Sequence, residues 1–422
     1  MKSLINKAVE LWRRYSHINM ALTDQMMVSG VNFLTGILMA RYLGLREFGV
    51  FTIAWMAVLF CNSIQRAMII TPMMSIGPKQ SKDEAPAYFG AIAVQQIFVT
   101  VFSALLIYAG TFGLATAFPQ WNIHHLSAPL AASAFAYQSQ DFIRRYFFTK
   151  DMHFAAFVND FISYGGQIAL LLWLFLSGGA TSDSVLWIIA ITSAIATATG
   201  VMRMEKLQWP TYKYFLSSCR RHWDFSKWMT SSVLMDWASG QFFTIAATAY
   251  LGPAAAGAMK ACQNIMGVLH ILFFGLSNVI PVRAAKILHS RGVLPMVDYL
   301  RKIALYGGIV TALYAMLAAI APDFWLHTIY GEEYRGFGFV LRWYALIYVL
   351  LFFNTPLRAG LTALEYSKPI FVGRVVTAIF TFISIAPLIS NYEIAGAVFG
   401  IFCVRVIHNG ILLVALGRRI KG

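Results

Sequence analysis

Runs of about 20 mostly apolar residues recur along the whole chain, and each is long enough to cross a hydrocarbon core of ~30 Å. Inside a bilayer the backbone has no water to bond, so such runs must close their hydrogen bonds within helices. Composition agrees: apolar residues make up 59% of 422 positions, charged residues 12%, and mean hydropathy is +0.64. A soluble domain carries roughly 25% charged residues. The chain therefore reads as an all-α polytopic membrane protein, and ordinary soluble classes are excluded.

Twelve spans are expected, near 18–40, 47–71, 87–112, 124–147, 154–176, 184–203, 227–250, 254–281, 300–321, 337–360, 368–390 and 392–417. Connectors after even spans are basic, as in GPKQSKDE, RRYFFTKD, MEKLQWPTYKYFLSSCRRHWDFSKW and RAAKILHSRG. Those after odd spans are short and nearly free of Lys and Arg. Of 33 Lys and Arg, 25 fall on the face that also holds both termini, and only Arg41, Arg46 and Arg335 fall opposite. This bias predicts cytoplasmic termini. The net charge of +15 is spread over every connector of that basic face, which favours apposition to anionic lipid over nucleic-acid binding.

The expected organisation follows. Residues 1–17 form an amphipathic surface segment, with Leu4, Ile5, Ala8, Leu11, Trp12 and Tyr15 on one side and Lys2, Lys7, Arg13 and Arg14 elsewhere. They lack the apolar core of a cleavable signal. A first six-span lobe covers 18–203, a basic cytoplasmic linker 204–226, a second lobe 227–417, and a basic tail 418–422. The four cysteines form no disulfide framework; Cys61, Cys262 and Cys403 read as small packing residues of spans.

The halves also repeat. YLGLREFG at Tyr42–Gly49 and YLGPAAAG at Tyr250–Gly257 share the form Y-L-G-x4-G, 208 residues apart. Arg13-Arg14 and Arg220-Arg221 precede them, each pair one span earlier. Gly44 and Gly252 suit a helix-ending position of positive φ, and Pro253 suits the first turn of the next helix. Gly49 and Gly257 are expected to let the second helix of each hairpin pack closely on the first. Six spans per half give both halves one orientation, a parallel repeat about the membrane normal.

With these residues in view, the segment SGVNFLTGILMARYLGLREFGVFTIAWM, followed by NSIQRAMIITPMMSIGPKQ, resembles the start of polysaccharide-export (Wzx-like oligosaccharide) flippases. Their superfamily also holds multidrug exporters and lipid II flippases. YGEEYRGFG at Tyr330–Gly338 is similar to a turn recurring in the same family. The resemblance implies a bacterial inner-membrane transporter of two lobes around a central cavity, working by alternating access. Its implied cargo is an undecaprenyl-pyrophosphate-linked oligosaccharide, moved to the periplasmic leaflet for polysaccharide biosynthesis. A polysaccharide polymerase and a chain-length regulator are the implied partners.

Moving a diphosphate through hydrocarbon demands a polar, cationic passage. Ionisable residues within spans are costly and tend to face a cavity or a partner. Arg66, Lys260, Arg374 and Arg405 are the candidates for a cationic lining, since guanidinium groups bind phosphate oxygens in pairs. Arg342 begins a span and suits snorkelling to the interface. Asp24, Asp160 and Asp236 are candidates for counter-charge, to Arg66 and Arg405 among others, or for a coupling proton or sodium ion. No other cofactor is expected, and no metal-ligand spacing surrounds His124-His125. Asp141, next to Arg144-Arg145, reads as an interfacial helix end. His270 and His408 read as packed rings. Intraspan amides such as Gln65, Gln96, Gln138, Gln140 and Gln263 suit either sugar hydroxyls or helix-to-helix bonds.

Two other functions are weighed. A cation-coupled multidrug exporter of the same fold would present an acidic or apolar cavity governed by Asp24 and Asp236. A membrane enzyme would gather acid, base and nucleophile at one site, and the longest connector on the face opposite the basic one offers only Asp323, His327, Glu332, Glu333 and Arg335.

Overall fold

The computed structural model describes residues 16–117 and 123–421. Residues 1–15, and with them nearly all of the expected amphipathic segment at 1–17, lie outside the described residues. Within those described, the chain is helical almost throughout and contains no strand. Helix Ser16–Gln65 covers the first span and most of the second, bent at Gly44. The third, fourth and sixth spans are Ala85–Ala117, Ser127–Thr149 and Ser182–Val201. The fifth runs from His153 to Ser177 through a π-helical turn at Phe161–Gly165. Val293–Ile320 and Gly338–Ala363 are the ninth and tenth. Lys368–Lys421 holds the last two, bent at Glu393.

Among the described residues, seven helices are long and apolar enough to cross a membrane. Two of these, Thr23–Lys79 and Lys368–Ile420, are long enough to cross twice at about 1.5 Å per residue. The fourth, seventh and eighth expected spans fall outside that set for a physical reason. The fourth carries Gln138, Gln140, Asp141, Arg144 and Arg145. The seventh is divided at Gln241, and the eighth at Gly267. The stretch expected as a linker is helical from Tyr212 and continuous with the seventh span. Its start is held against the third span, where the Gln208 N–H donates to the Pro86 carbonyl at 3.1 Å.

The chain divides into two compact units. The first comprises Met1–Thr35 and Ala54–Val233, the second Gly36–Ile53 and Leu234–Gly422. The hairpin carrying the first Y-L-G turn thus groups with the second half of the chain. In the first unit Met73, Tyr88, Phe89, Ile92, Tyr146 and Phe147 form a buried core. In the second, Ile280, Met296, Leu300 and Ala359 do so. Large apolar side chains also point outward, as Phe98, Phe102 and Leu105 do on the third span. That is the inside-out pattern hydrocarbon permits, where apolar exposure costs nothing.

The two repeated turns have one conformation. Gly44 has φ 78° and ψ 172°, and Gly252 has φ 90° and ψ 171°, values that disfavour any side chain. The partners of Gly49 and Gly257 differ from the expectation. Each packs on the other hairpin rather than its own. A Cβ on Gly49 would stand 1.8 Å from the Pro253 carbonyl oxygen, and one on Gly257 would stand 2.2 Å from that of Leu45. Leu45 and Pro253 are themselves repeat equivalents, so the contact is reciprocal.

The YGEEYRGFG turn fastens this arrangement within the second unit. Glu333 Oε2 accepts the Leu45 N–H at 2.7 Å, and Tyr334 Oη donates to the Ala40 carbonyl at 3.0 Å. Arg41 donates to the Thr328 carbonyl at 3.2 Å. Asp323 accepts the N–H groups of Gly336 and Gly338, closing the start of the tenth span. Two acids of this long connector, Asp323 and Glu333, therefore cap backbone, while Glu332 pairs with His327 and Arg335.

Candidate functional site: two charged clusters within the spans

The fourth span supplies the charged centre of the first unit. Its sequence places Gln140, Asp141, Arg144 and Arg145 within two turns, so they lie on neighbouring helical faces. Arg144 is buried between two carboxylates, with Nη2 2.7 Å from Asp24 Oδ2 and Nε 2.6 Å from Asp160 Oδ2. Gln140 donates to the second Asp160 oxygen at 2.8 Å. Asp141 is buried too, rather than interfacial. It holds Arg66 through two contacts of 2.8 and 3.0 Å, with Arg145 at 3.6 Å and the Asn62 amide at 3.3 Å.

Three arginines thus meet three aspartates, and the charge of this cluster is balanced. Asp24 and Asp160 serve Arg144, and neither pairs with Arg66 or Arg405. The amides bond each other and the backbone: Gln65 donates to Gln96 at 3.0 Å and to the Gln138 carbonyl at 2.8 Å. Two π-helical turns flank the cluster. Arg66 opens the one at Arg66–Ile70, and Asp160 immediately precedes the other. Such turns widen a helix by one residue and recur at functional sites. Arg66 keeps 41% of its side chain exposed.

The second unit is built differently. Arg374, on the eleventh span, contacts Asp236 on the seventh at 2.9 Å. Asp236 also lies in the field of Arg358 and Arg405. The His408 ring is in the field of the same three arginines, and its Nδ1 pairs with the Asn354 amide at 3.1 Å. Arg405 keeps a buried Nε without a partner. Three guanidinium groups thus act on one carboxylate, one of them in contact with it, an excess of positive charge. Half of the Asp236 side chain is exposed. Charged groups within spans tend to face a cavity or a partner.

Not all the expected cationic residues gather here. Lys260 instead donates to Gln263 at 3.1 Å and lies near His270, whose ring stacks on Tyr348 at 5.2 Å. Arg66 belongs to the first unit's neutral cluster. Arg342 is exposed and donates to the Ala319 carbonyl. Arg144 and Arg358 belong to the clusters, although charge counting assigns them to basic connectors. Their signal was present: each lies inside its span boundary, one next to Gln140-Asp141 and the other just after Pro356.

This fold is shared with solved transporters. The chain is similar to the lipid II flippase MurJ in an inward closed conformation, with a TM-score of 0.70 and 14% identity over 95% of this chain and 87% of that one. It is likewise similar to an inward-facing multidrug resistance transporter of the MATE family, at 0.69 and 12% over 94% of each. A superfamily member from Pyrococcus furiosus gives 0.60 and 13% over 96% of this chain and 95% of that one. No protein-family model matches the sequence, and no curated protein does. The fold is that of the MOP-superfamily transporters, an all-helical, multi-pass membrane architecture.

Proposed function

We propose that the chain is a flippase for undecaprenyl-pyrophosphate-linked oligosaccharide, moving it from the cytoplasmic to the periplasmic leaflet of the bacterial inner membrane for polysaccharide biosynthesis. The observation that carries this reading is the second unit's cluster, where Arg374 contacts the lone carboxylate of Asp236 and the fields of Arg358, Arg374 and Arg405 fall on both Asp236 and His408. A diphosphate needs such an unneutralised set of donors. The buried Nε of Arg405 offers a ready hydrogen bond, and Asp236 holds Arg374 until an anion competes for it. A lipid II flippase among the structural relatives supports a lipid-linked cargo. In this reading both termini are cytoplasmic, and polymerase and chain-length regulator act downstream in the same membrane.

Asp24 and Asp160 have a separate role in the proposal. Two carboxylates share one buried guanidinium, so a proton added to either would release its hold on Arg144. This makes the pair the site of a coupling proton. A multidrug exporter driven by cations would suit the first unit's acids, but it has no use for the second unit's cationic excess.

Deletion in the native host separates the two. Accumulation of the lipid-linked oligosaccharide on the cytoplasmic leaflet, with drug susceptibility unchanged, is expected. Normal surface polysaccharide with raised drug susceptibility would support the exporter instead.

A further inference from the structure

We infer that the basic face of the second unit carries a binding site for an anionic phospholipid, formed by the end of the twelfth span and the turn at Tyr366. A cavity of about 570 Å³ lies there, and its lining changes character along the helix. Ile411, Val414 and Ala415 form an apolar floor, while Arg418, Arg419 and Tyr366 form the rim. The three floor residues and Arg418 recur at intervals of three and four, which places them on one helical face. From Gly410 to Arg419 the helix rises roughly 13 Å. That span takes a phosphate from the interface to the upper part of an acyl chain.

Several features fit one ligand chemistry. Nothing lies within 4 Å of the place a Cβ on Gly410 would occupy, so the floor remains open along that edge. Arg419 is held over the Tyr366 ring at 5.8 Å, which fixes its guanidinium at the rim. Among the described residues, neither Arg418 nor Arg419 has a carboxylate at salt-bridge distance, so both charges stay available. An apolar groove within the hydrocarbon is filled by a chain rather than by water. Two unpaired arginines above it select a negatively charged phosphate ester, and basic pockets at this membrane level bind anionic lipids. The site is distinct from the Arg374–Asp236 cluster, and the inference stands whether or not the transport reading holds.

Native mass spectrometry of the full chain, with phosphatidylglycerol or phosphatidylcholine as probe, tests it. Wild type is expected to retain phosphatidylglycerol over phosphatidylcholine. R418Q/R419Q should weaken phosphatidylglycerol roughly twenty-five-fold, about fivefold for each charge, and leave phosphatidylcholine unchanged. G410L, which fills the groove and keeps both arginines, should weaken phosphatidylglycerol as well, while glycerol phosphate without chains should not compete. Equal retention of the two lipids by wild type would overturn the inference, as would undiminished phosphatidylglycerol binding in both variants. Full competition by glycerol phosphate would do the same. Thermal stability of each variant in detergent, expected within a few degrees of wild type, separates lost binding from lost folding.

Discussion

Gly49 and Gly257 touch reciprocally, each backbone occupying the space a side chain on the other hairpin's equivalent residue would need. A Cβ on Gly49 would fall 1.8 Å from the Pro253 oxygen, and one on Gly257 2.2 Å from the Leu45 oxygen. Backbone atoms on both sides cannot yield as a flexible side chain would. G49V and G257V are therefore each expected to destabilise the protein by roughly 1–3 kcal/mol, the cost of overpacking. G30A serves as the control, because a Cβ there meets nothing within 4 Å. Thermal unfolding in detergent gives the comparison, and melting of G49V and G257V alongside G30A would refute the contact.

Arg144 carries a different dependence. Replacing it with methionine leaves Asp24 and Asp160 buried without a cation, and breaking a buried pair in this way costs about 3–5 kcal/mol. R144M alone should express poorly or melt early. The triple variant D24N/R144M/D160N removes all three charges and should recover much of the loss. If the triple variant is no better than R144M, the pairing does not account for the stability.

The helix entering the seventh span offers a pH test outside the membrane-spanning segments. His222 is buried there, with Nε2 2.9 Å from Tyr88 Oη. Burial, with a smaller contribution from Arg221, lowers its pKa to about 4. An unfolded histidine titrates near 6.5, so between pH 6.5 and 4 the unfolded chain binds the extra proton. The stabilisation is complete above about pH 6.5 and is lost as pH falls towards 4, by at most about 1.4 kcal/mol per pH unit. H222Q should flatten that part of a stability–pH profile measured in detergent. A wild-type profile level from pH 7 to 4.5 would contradict it.

Much of the fold was legible in the sequence because hydrocarbon imposes one rule on every span. Run length places most of the helices, and Y-L-G-x4-G marks two turns whose backbone angles agree closely. The reciprocal use of Gly49 and Gly257 was not legible, since a glycine shows that something approaches and not what. The charged residues were read less well. Arg144 and Arg358 fall near span ends, where counting treats any arginine as a connector residue. Only the packing of the fourth span against the first and fifth reveals Asp24 and Asp160 as partners of Arg144. The π-helical turns at Arg66–Ile70 and Phe161–Gly165 leave no mark in residue spacing, yet they begin at Arg66 and just after Asp160, two residues of the first cluster.

The central claim is that the Arg374–Arg405 cluster carries a diphosphate headgroup across the membrane. Translocation of a polyprenyl-diphosphate-linked oligosaccharide in proteoliposomes, read by loss of the sugar from enzymatic access on one side, measures this directly. Hydrogen bonds to charged groups contribute about 1.5–3 kcal/mol each. Wild type should therefore translocate the lipid, and R374Q/R405Q should slow it by roughly tenfold or more while K302Q, at an exposed pair with Asp298, leaves the rate unchanged. Translocation by R374Q/R405Q at the wild-type rate, in protein of matched stability, would contradict the account.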